Sequence, residues 1–446
     1  MTRFRASAAW VDGEIATDVD ITTDADGRIS SVGPLDPAAG DAVVLPGVVL
    51  PGFANAHSHA FHRALRGRTH GDGGTFWTWR DRMYRVARTL DPDSYYALAR
   101  ATFGEMVLSG VTCVGEFHYV HHSPHGTAYA DPNAMGEAVR HAARDAGLRL
   151  TLLDTCYLSG GLTTDGHLPL SPDQRRFGDA DADRWAARVR LLSDDATTRI
   201  GAAIHSVRAV PRDSIPVVVD AVGGRPLHVH LSEQEAENAA CLGHYGVTPT
   251  ELLDAGGALG ASTTAVHATH LTASDIATLG RTRTSSCFCP TTERDLADGI
   301  GPALELLGAG SPLCLGSDQH AVIDLIEEAR ALEMHERLIS HERGRKQPPE
   351  LVTALTDNGH RSLGWDDAGR IEVGMRADLV AVRLDTVRTV GSLPDQILLS
   401  AFAADVDTVV VDGRVVVSGG AHRTFDVAQE LHTSIQQVWS HPEATR

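Results

Sequence analysis

The feature that most constrains this fold is a repeated alternation of apolar runs and amphipathic stretches between about residues 51 and 367. Seven apolar runs that end in polar residues predict strands: SGVTCVGEF, LRLTLLDTCYL, RIGAAIHSV, RPLHVHLSE, TTAVHATHL, RTSSCFCP and SPLCLGSDQ. Stretches with helical periodicity lie between them, as in SYYALARATFGEMVLS, NAMGEAVRHAARDAG, DADRWAARVRLLSD and LIEEARALEMHERLIS. Because strands separated by helices pair in parallel, we predict an α/β fold with a closed (β/α)8 TIM barrel. The alternative is an open doubly wound sheet, which usually carries a more convincing glycine-rich nucleotide loop than this sequence offers.

The two ends of the chain have a different pattern. Residues 1–50 contain Asp-Gly pairs between short alternating runs, in AAWVDGEIATDVDITTDADGRISSVGP, which is typical of hairpins. Residues 368–446 return to β runs with GRIEVGMRADLVAVRLD and VDTVVVDGRVVVSGGAHR, and end in a C-terminal tail. We therefore predict that residues 51–367 form the barrel and that the two ends together form one small β-sandwich domain.

Composition argues against several classes of function. The 446 residues include 39 Lys and Arg against 58 Asp and Glu, a net charge of −19. Such an acidic chain is a poor partner for nucleic acid or an anionic membrane, and it needs local arginines to hold an anionic small molecule. No apolar run reaches the ~18 residues of a membrane span, and the N-terminus lacks a signal-peptide pattern. We expect a soluble cytoplasmic protein.

The six cysteines are scattered and do not suggest a disulfide framework. Cys287 and Cys289 are spaced so that they could bind metal. Two small buried residues are the more common outcome for such a pair, and we favour that interpretation.

Histidines are concentrated where the predicted strands end. His57 and His59 are two residues apart, so at a strand end their side chains leave the same face and could begin a zinc site. Any one such histidine is more often a core or loop residue. However, barrel enzymes place their chemistry at the C-terminal ends of strands, and several ends here carry ligand-type side chains. Together they predict a metal site drawn from these residues: His57, His59, His228, His230, Glu233, His267, His270 and Asp318.

The motifs PGFANAHSH, HLSE, VHATHL and GSDQH, in that order, resemble the amidohydrolase superfamily, and the β ends resemble its split accessory sandwich. More specific stretches resemble the formimidoylglutamate deiminase family of histidine degradation: HSHAFHRA, TFWTWRDRMY, GEFHYVHH, HSVRAV, VHATHLT and CPTTERDLADG. The resemblance spans essentially the whole chain. It implies the metal ligands His57, His59, His230 and Asp318, and the catalytic residues Glu233, His267 and Asp318. It gives His228 at most a supporting position.

The resemblance also bears on the number of metal ions. Many superfamily members hold two metals bridged by a carboxylated lysine on an inner strand. Lys346 is the only lysine of this chain and follows Asp318, so it cannot be that bridge. We therefore expect one metal ion per chain, zinc in the first instance, with iron as the alternative because imidazole and carboxylate suit both.

The implied reaction is hydrolysis of N-formimidoyl-L-glutamate to N-formyl-L-glutamate and ammonia. A water activated by the metal attacks the C=N carbon. Asp318 accepts the proton of the water, and His267 orients the water and stabilises charge on the tetrahedral carbon. Glu233 passes a proton to the departing ammonia.

A dicarboxylate substrate needs aimed hydrogen-bond donors, and arginine is the best of them. Arg80 and Arg208 are the leading candidates, and Tyr119 and His205 are further ones. His62 occupies the position at which the better-known form of the family has glutamine. A histidine there changes the reach of the side chain and adds pH dependence, so that substrate contact stays open.

Three other functions remain in competition. A nucleobase-type deaminase would share the metal site but need a pocket for an aromatic ring. An imidazolonepropionase-like ring hydrolase is disfavoured by the Trp-Arg stretch in TFWTWRDRMY. A non-catalytic scaffold would usually have lost metal ligands, which this chain retains. The resemblance further implies a homodimer.

Overall fold

The computed structural model describes residues 1–36, 40–71 and 76–442. Their strands are β1 (Arg3–Val11), β2 (Glu14–Thr23), β3 (Ile29–Pro34), β4 (Val43–Pro51), β5 (Phe53–Ser58), β6 (Val111–His118), β7 (Arg149–Cys156), β8 (Gly161–Thr163), β9 (Gly166–Leu168), β10 (Thr198–Ile204), β11 (Leu227–Leu231), β12 (Thr263–His267), β13 (Ser285–Phe288), β14 (Leu313–Leu315), β15 (Leu379–Val382), β16 (Val406–Val411), β17 (Arg414–Ser418) and β18 (Ala421–His422). Their helices are α1 (Phe76–Thr89), α2 (Pro92–Leu108), α3 (Ala134–Ala146), α4 (Ala182–Val189), α5 (Ile215–Val222), α6 (Glu235–Tyr245), α7 (Pro249–Ala255), α8 (Ala273–Thr282), α9 (Pro290–Asp295), α10 (Ala303–Ala309), α11 (Leu325–Ser340), α12 (Pro348–Leu355), α13 (Asp357–Ser362) and α14 (Val427–Ser440).

The central sheet is the predicted parallel barrel. Its strands follow the order β5-β6-β7-β10-β11-β12-β13-β14, and every neighbouring pair is parallel. A parallel bridge between Ser58 and Asp318 joins the two ends of this sheet and nearly closes it. The prediction of a TIM barrel is confirmed, and its closure brings the first and last strand ends into contact.

Burial explains why the barrel strands are apolar along their whole length. All eight residues of β6 and all eight of β7 are buried, because the barrel interior covers one face and the helices cover the other. Helix α3 is the matching element on the outside. It buries Met135, Val139 and Ala142, which are spaced at helical intervals, and keeps its charged residues on the other side.

The second sheet is built from both ends of the chain, in the order β18-β17-β16-β15-β4-β1-β2-β3. The Asp12-Gly13 turn joins β1 to β2, as the hairpin pattern predicts, and Gly13 has a positive φ of 83°. Arg149, the first residue of β7, pairs with Asp378 and Asp412, and so ties the barrel to this sheet through a buried ion-pair network.

Two regions of the fold differ from the strand-and-helix prediction. Helix α14 occupies a region for which only strands and a tail were expected, although Val427, Leu431 and Val438 form its buried stripe. The short hairpin of β8 and β9 forms a separate two-stranded sheet after β7. Within the described residues, no helix is both long and apolar enough to cross a membrane.

Candidate active site

Four side chains predicted to bind metal converge at the C-terminal end of the barrel. The Nε2 atoms of His57 and His230 are 3.1 Å apart. The Oδ1 atom of Asp318 lies 3.3 Å from Nε2 of His57 and 3.4 Å from Nε2 of His59. A tetrahedral zinc ion with bonds of ~2.0–2.1 Å separates its ligand atoms by about 3.3–3.4 Å, so this donor set fits one such ion.

The backbone orients two of these rings. Nδ1 of His59 lies 3.0 Å from the carbonyl oxygen of Phe117, and Nδ1 of His230 lies 2.9 Å from that of His205. Donation from Nδ1 to a carbonyl leaves the Nε2 lone pair of each ring for a metal. The two histidines therefore present the atoms that converge with Asp318.

The protonation states of the four side chains also suit a cation. Burial holds the pKa values of His57 and His230 below the ordinary value and lowers that of His59 to about 3. Burial by itself would raise the pKa of Asp318, but the adjacent His57 and the positive charge of the nearby His267 hold it well below the ordinary value. Neutral imidazoles and an ionised carboxylate are the forms that bind metal.

Closure of the barrel places Asp318 against the first strand. The backbone N–H groups of Ser317 and Asp318 both donate to the carbonyl oxygen of His57, over 3.1 and 3.0 Å. Gly316 permits this approach, because a Cβ there would lie 2.7 Å from Cβ of His57 and 2.9 Å from Sγ of Cys289. The glycine of GSDQH is therefore a packing requirement of the site.

Strained backbone is concentrated at these strand ends. Ser232, His267 and Asp318 have positive φ values of 50°, 68° and 41°, although none is glycine. Such conformations persist where the surrounding structure enforces them, and they cluster at functional sites.

His267 lies among three carboxylates. Its Nε2 atom is 3.9 Å from Oε1 of Glu233 and 3.8 Å from Oδ2 of Asp318, while its Nδ1 atom is 3.4 Å from Oε1 of Glu293. Burial alone would lower the pKa of His267, but the charges of Glu233, Asp318 and Glu293 and the hydrogen bond to Glu293 raise it to about 10. The arrangement can hold a proton beside the predicted metal position.

The metal-type residues open onto a cavity of about 280 Å³ whose lining includes the five predicted substrate contacts: His62, Arg80, Tyr119, His205 and Arg208. Arg80 comes from helix α1, where its guanidinium lies 4.5 Å from the centre of the Trp77 ring and 5.6 Å from that of Tyr84. Its Nε atom is buried without a hydrogen-bond partner, and its guanidinium forms no ion pair within the described part of the chain. Its charge is therefore available to a ligand.

Arg208 is held differently. Its Nε atom lies 2.9 Å from Oε2 of Glu237, and one terminal nitrogen lies 3.4 Å from Oε2 of Glu233. Glu237 is fully buried and also accepts the N–H of Ser232 over 3.3 Å. Arg208 thus bridges the predicted proton carrier and a second carboxylate, in addition to lining the cavity.

His62 and Tyr119 form a polar pair in the wall of the cavity. Nε2 of His62 is 2.9 Å from the Tyr119 hydroxyl, and the His62 ring lies 4.6 Å from the ring of His59. Burial holds the pKa of His62 well below its ordinary value, so the ring is neutral near pH 7. His62 therefore offers polarity and shape to a ligand without a positive charge.

Comparison with known proteins agrees with this geometry. A sequence model of the amidohydrolase family matches residues 48–416. The chain belongs to the amidohydrolase family. It is 36% identical to the formimidoylglutamate deiminase of Pseudomonas aeruginosa, over 91% of this chain and 92% of that one. It is 30% identical to the 8-oxoguanine deaminase of the same organism, over 89% and 88%.

Solved structures agree as well. An amidohydrolase from Brucella melitensis superposes with a TM-score of 0.91 and 31% identity, over 98% of this chain and all of the other. The present chain is accordingly an enzyme that hydrolyses a C–N bond. The identity of its substrate is a separate question.

Some residues that the sequence analysis considered as metal ligands lie away from the cavity. His228 points its Nε2 atom at the carbonyl oxygen of Ser362, 3.1 Å away, and does not line the cavity. All six cysteines are buried and unpaired, as expected for small core residues.

Two buried glutamates at the site were not predicted as functional residues. Glu237 lies four positions after Glu233, and Glu293 lies in CPTTERDLADG just beyond the end of β13. The sequence could have indicated Glu293 only as a polar residue shortly after the end of a predicted strand. The signal was weak because two threonines, an arginine and two aspartates share that stretch.

Proposed function

We propose that this amidohydrolase is a deiminase that converts N-formimidoyl-L-glutamate and water to N-formyl-L-glutamate and ammonia. The observation that carries the proposal is Arg80, a guanidinium in the cavity wall without a carboxylate partner in the described residues. A cavity that keeps such a charge beside the predicted metal position suits an anionic substrate. The 36% identity to a formimidoylglutamate deiminase supports the same substrate.

His57, His59, His230 and Asp318 would hold one metal ion, zinc in the first instance and iron as the alternative. When bound, the ion lowers the pKa of water and polarises the C=N group. Metal analysis of the purified protein should find about one ion per chain, as expected for a single tetrahedral donor set. Two tightly bound ions would contradict this part of the proposal.

The side chains around the reacting carbon divide the proton transfers. Asp318 accepts a proton from the attacking water. Glu233 lies 3.9 Å from His267 and can carry a proton from the water side to the departing nitrogen. His267 holds its proton between Glu233 and Asp318 and can stabilise charge on the tetrahedral carbon. The water oxygen stays in the formyl group, and ammonia leaves.

The rest of the substrate would lie towards the arginines. Arg80 takes one carboxylate, and Arg208, fixed by Glu237, takes the other. Tyr119, His205 and His62 add polar contacts at the wall. This division explains how a chain of net charge −19 can bind a dicarboxylate.

The test is ammonia release on a panel of formimidoylglutamate, formimidoylaspartate, 8-oxoguanine, guanine, cytosine and imidazolonepropionate. We expect the highest kcat/KM with formimidoylglutamate. Arg80→Met should then raise KM for it, whereas Arg85→Met, on the exposed side of the same helix, should not. Preference for a purine, or an unchanged KM in Arg80→Met, would contradict the proposal.

A further inference from the structure

His267 is anchored differently from the two predicted metal ligands whose Nδ1 atoms contact the backbone. Those two rings, His59 and His230, place Nδ1 at carbonyl oxygens. His267 places Nδ1 at a carboxylate oxygen, Oε1 of Glu293, 3.4 Å away. A carbonyl is part of the backbone and is fixed with it, whereas a glutamate side chain has to be held in place by other contacts.

Other contacts hold the Glu293 side chain in place. The same Oε1 atom accepts the N–H of Cys289 over 2.8 Å, and the Glu293 side chain is only 2% exposed. The backbone N–H of Glu293 in turn donates to the carbonyl oxygen of Cys289 over 2.9 Å. Strand β13, which ends just before this turn, pairs with β12, which ends at His267. One strand end thus supplies a fixed acceptor to the next.

We propose that Glu293 is the positioning residue of His267: its fixed oxygen accepts the Nδ1 proton and so directs Nε2 between Glu233 and Asp318. Nε2 lies 3.9 and 3.8 Å from those two carboxylates. If the His267 ring could rotate about its side-chain bonds, Nε2 would move away from both carboxylates together. Glu293 itself is not among the residues that line the cavity and contacts that lining through His267.

Substitutions can separate position from charge. Glu293→Met removes the acceptor at similar volume, and we expect kcat to fall about 10- to 100-fold while KM and metal content stay within about threefold. Glu293→Gln keeps an oxygen that can accept both N–H groups, so it should recover most of that loss. A Gln variant as impaired as the Met variant would overturn positioning by the oxygen, as would full kcat in Glu293→Met.

Glu328 provides the matched control. Glu328, on α11, is fully buried and accepts the N–H of Thr291 over 2.9 Å. Thr291 lies two residues before Glu293 on α9, but Glu328 does not contact His267. Glu328→Met carries the same structural cost of an unpaired buried donor. It should lower thermal stability without changing kcat. An equal fall of kcat in this control would show that Glu293 acts only through folding.

A spectroscopic measurement needs neither substrate nor a folded Glu293 variant. In zinc-loaded protein labelled with ¹⁵N-histidine, the ring resonances of His267 are assigned by their absence in His267→Asn. We expect a slowly exchanging proton on Nδ1. An unprotonated Nδ1 would overturn the proposal. Because the activity assay rests on the proposed substrate and this measurement does not, failure of one can be told from failure of the other.

Discussion

The described part of the barrel contains two buried clusters of histidine and aspartate, and only one of them opens onto the cavity. The site cluster consists of His57, His59, His230, His267 and Asp318. The second cluster consists of His118, His121 and Asp154, whose possible ligand atoms lie within 4.8 Å of one another. By proximity and burial alone, both could hold a metal.

The second cluster already contains a cation. Arg188 donates to both oxygens of Asp154, over 2.7 and 2.9 Å, and lies 3.0 Å from Asp179. His121 directs Nε2 at the carbonyl oxygen of Thr155, 2.9 Å away. In the site cluster, no arginine among the described residues pairs with Asp318, and its Oδ1 atom faces Nε2 atoms of His57 and His59. Free lone pairs beside a cavity therefore distinguish a predicted metal site from a structural network better than the distances between ligand atoms do.

The largest expected effect tests the site cluster. Glu233→Gln should lower kcat by about 10²- to 10⁴-fold, because an amide cannot carry a proton to the leaving nitrogen. Metal content should not change, since Glu233 is not among the four predicted metal ligands. Ammonia release and metal analysis measure both. Glu235→Gln, at an exposed neighbouring position, is the control and should be fully active.

The second cluster can be broken at Arg188. Arg188→Met leaves Asp154 and Asp179 buried without their cation, and we expect the free energy of unfolding to fall by about 3–5 kcal/mol. Denaturant unfolding measures the loss. Metal content should stay at about one ion per chain, the number expected from one tetrahedral donor set. A second ion bound by the variant, with stability restored, would show that the arginine alone separates the two clusters.

Arg208 sharpens the comparison, because it also bridges two carboxylates yet lines the cavity. Arg208→Met should raise KM for formimidoylglutamate by about 10- to 100-fold, the equivalent of one charged hydrogen bond of ~1.5–3 kcal/mol. Arg188→Met should leave KM unchanged at a temperature where the variant is folded. Steady-state kinetics of the two variants measure this difference in KM. Equal KM values would show that Arg208 does not bind the substrate.

The smallest expected effect concerns acid stability. Burial, partly offset by Asp154, lowers the pKa of His118 to about 4, below its value of about 6.5 in the unfolded chain. The unfolded chain therefore binds the proton first, and stability falls as pH drops from about 6.5 towards 4. His118→Phe lacks this term, so its stability should fall less steeply, by up to ~1.4 kcal/mol per pH unit.

Chemical unfolding of wild type and His118→Phe between pH 7 and 4 measures that slope. His432→Gln, at an exposed position on α14, should behave like the wild type. Parallel curves for all three proteins would mean that His118 is not the group that titrates.

Much of the fold could be predicted because its signals are local. Each predicted barrel strand after β5 was an apolar run that could be located from its own residues, and α11 covers the predicted helical stretch LIEEARALEMHERLIS. Helix α14 was missed because its apolar stripe follows strand-rich sequence and is interrupted by polar residues. The residues predicted to bind metal were visible because each lies within three residues of the end of a strand.

Sequence alone was enough to establish the strand–helix alternation, the ligand-type side chains near strand ends, and the lack of an inner-strand lysine to bridge two metals. The family resemblance named His57, His59 and His230 as ligands together with Asp318. The tertiary structure supplied their geometry, because barrel closure bridges Ser58 at the end of β5 to Asp318 beyond β14, across most of the chain. It also decided that Arg188 occupies one cluster, that Glu237 holds Arg208, and that Glu293 anchors His267. These contacts join residues far apart in sequence, and packing of the whole barrel sets them, so no local pattern could predict them.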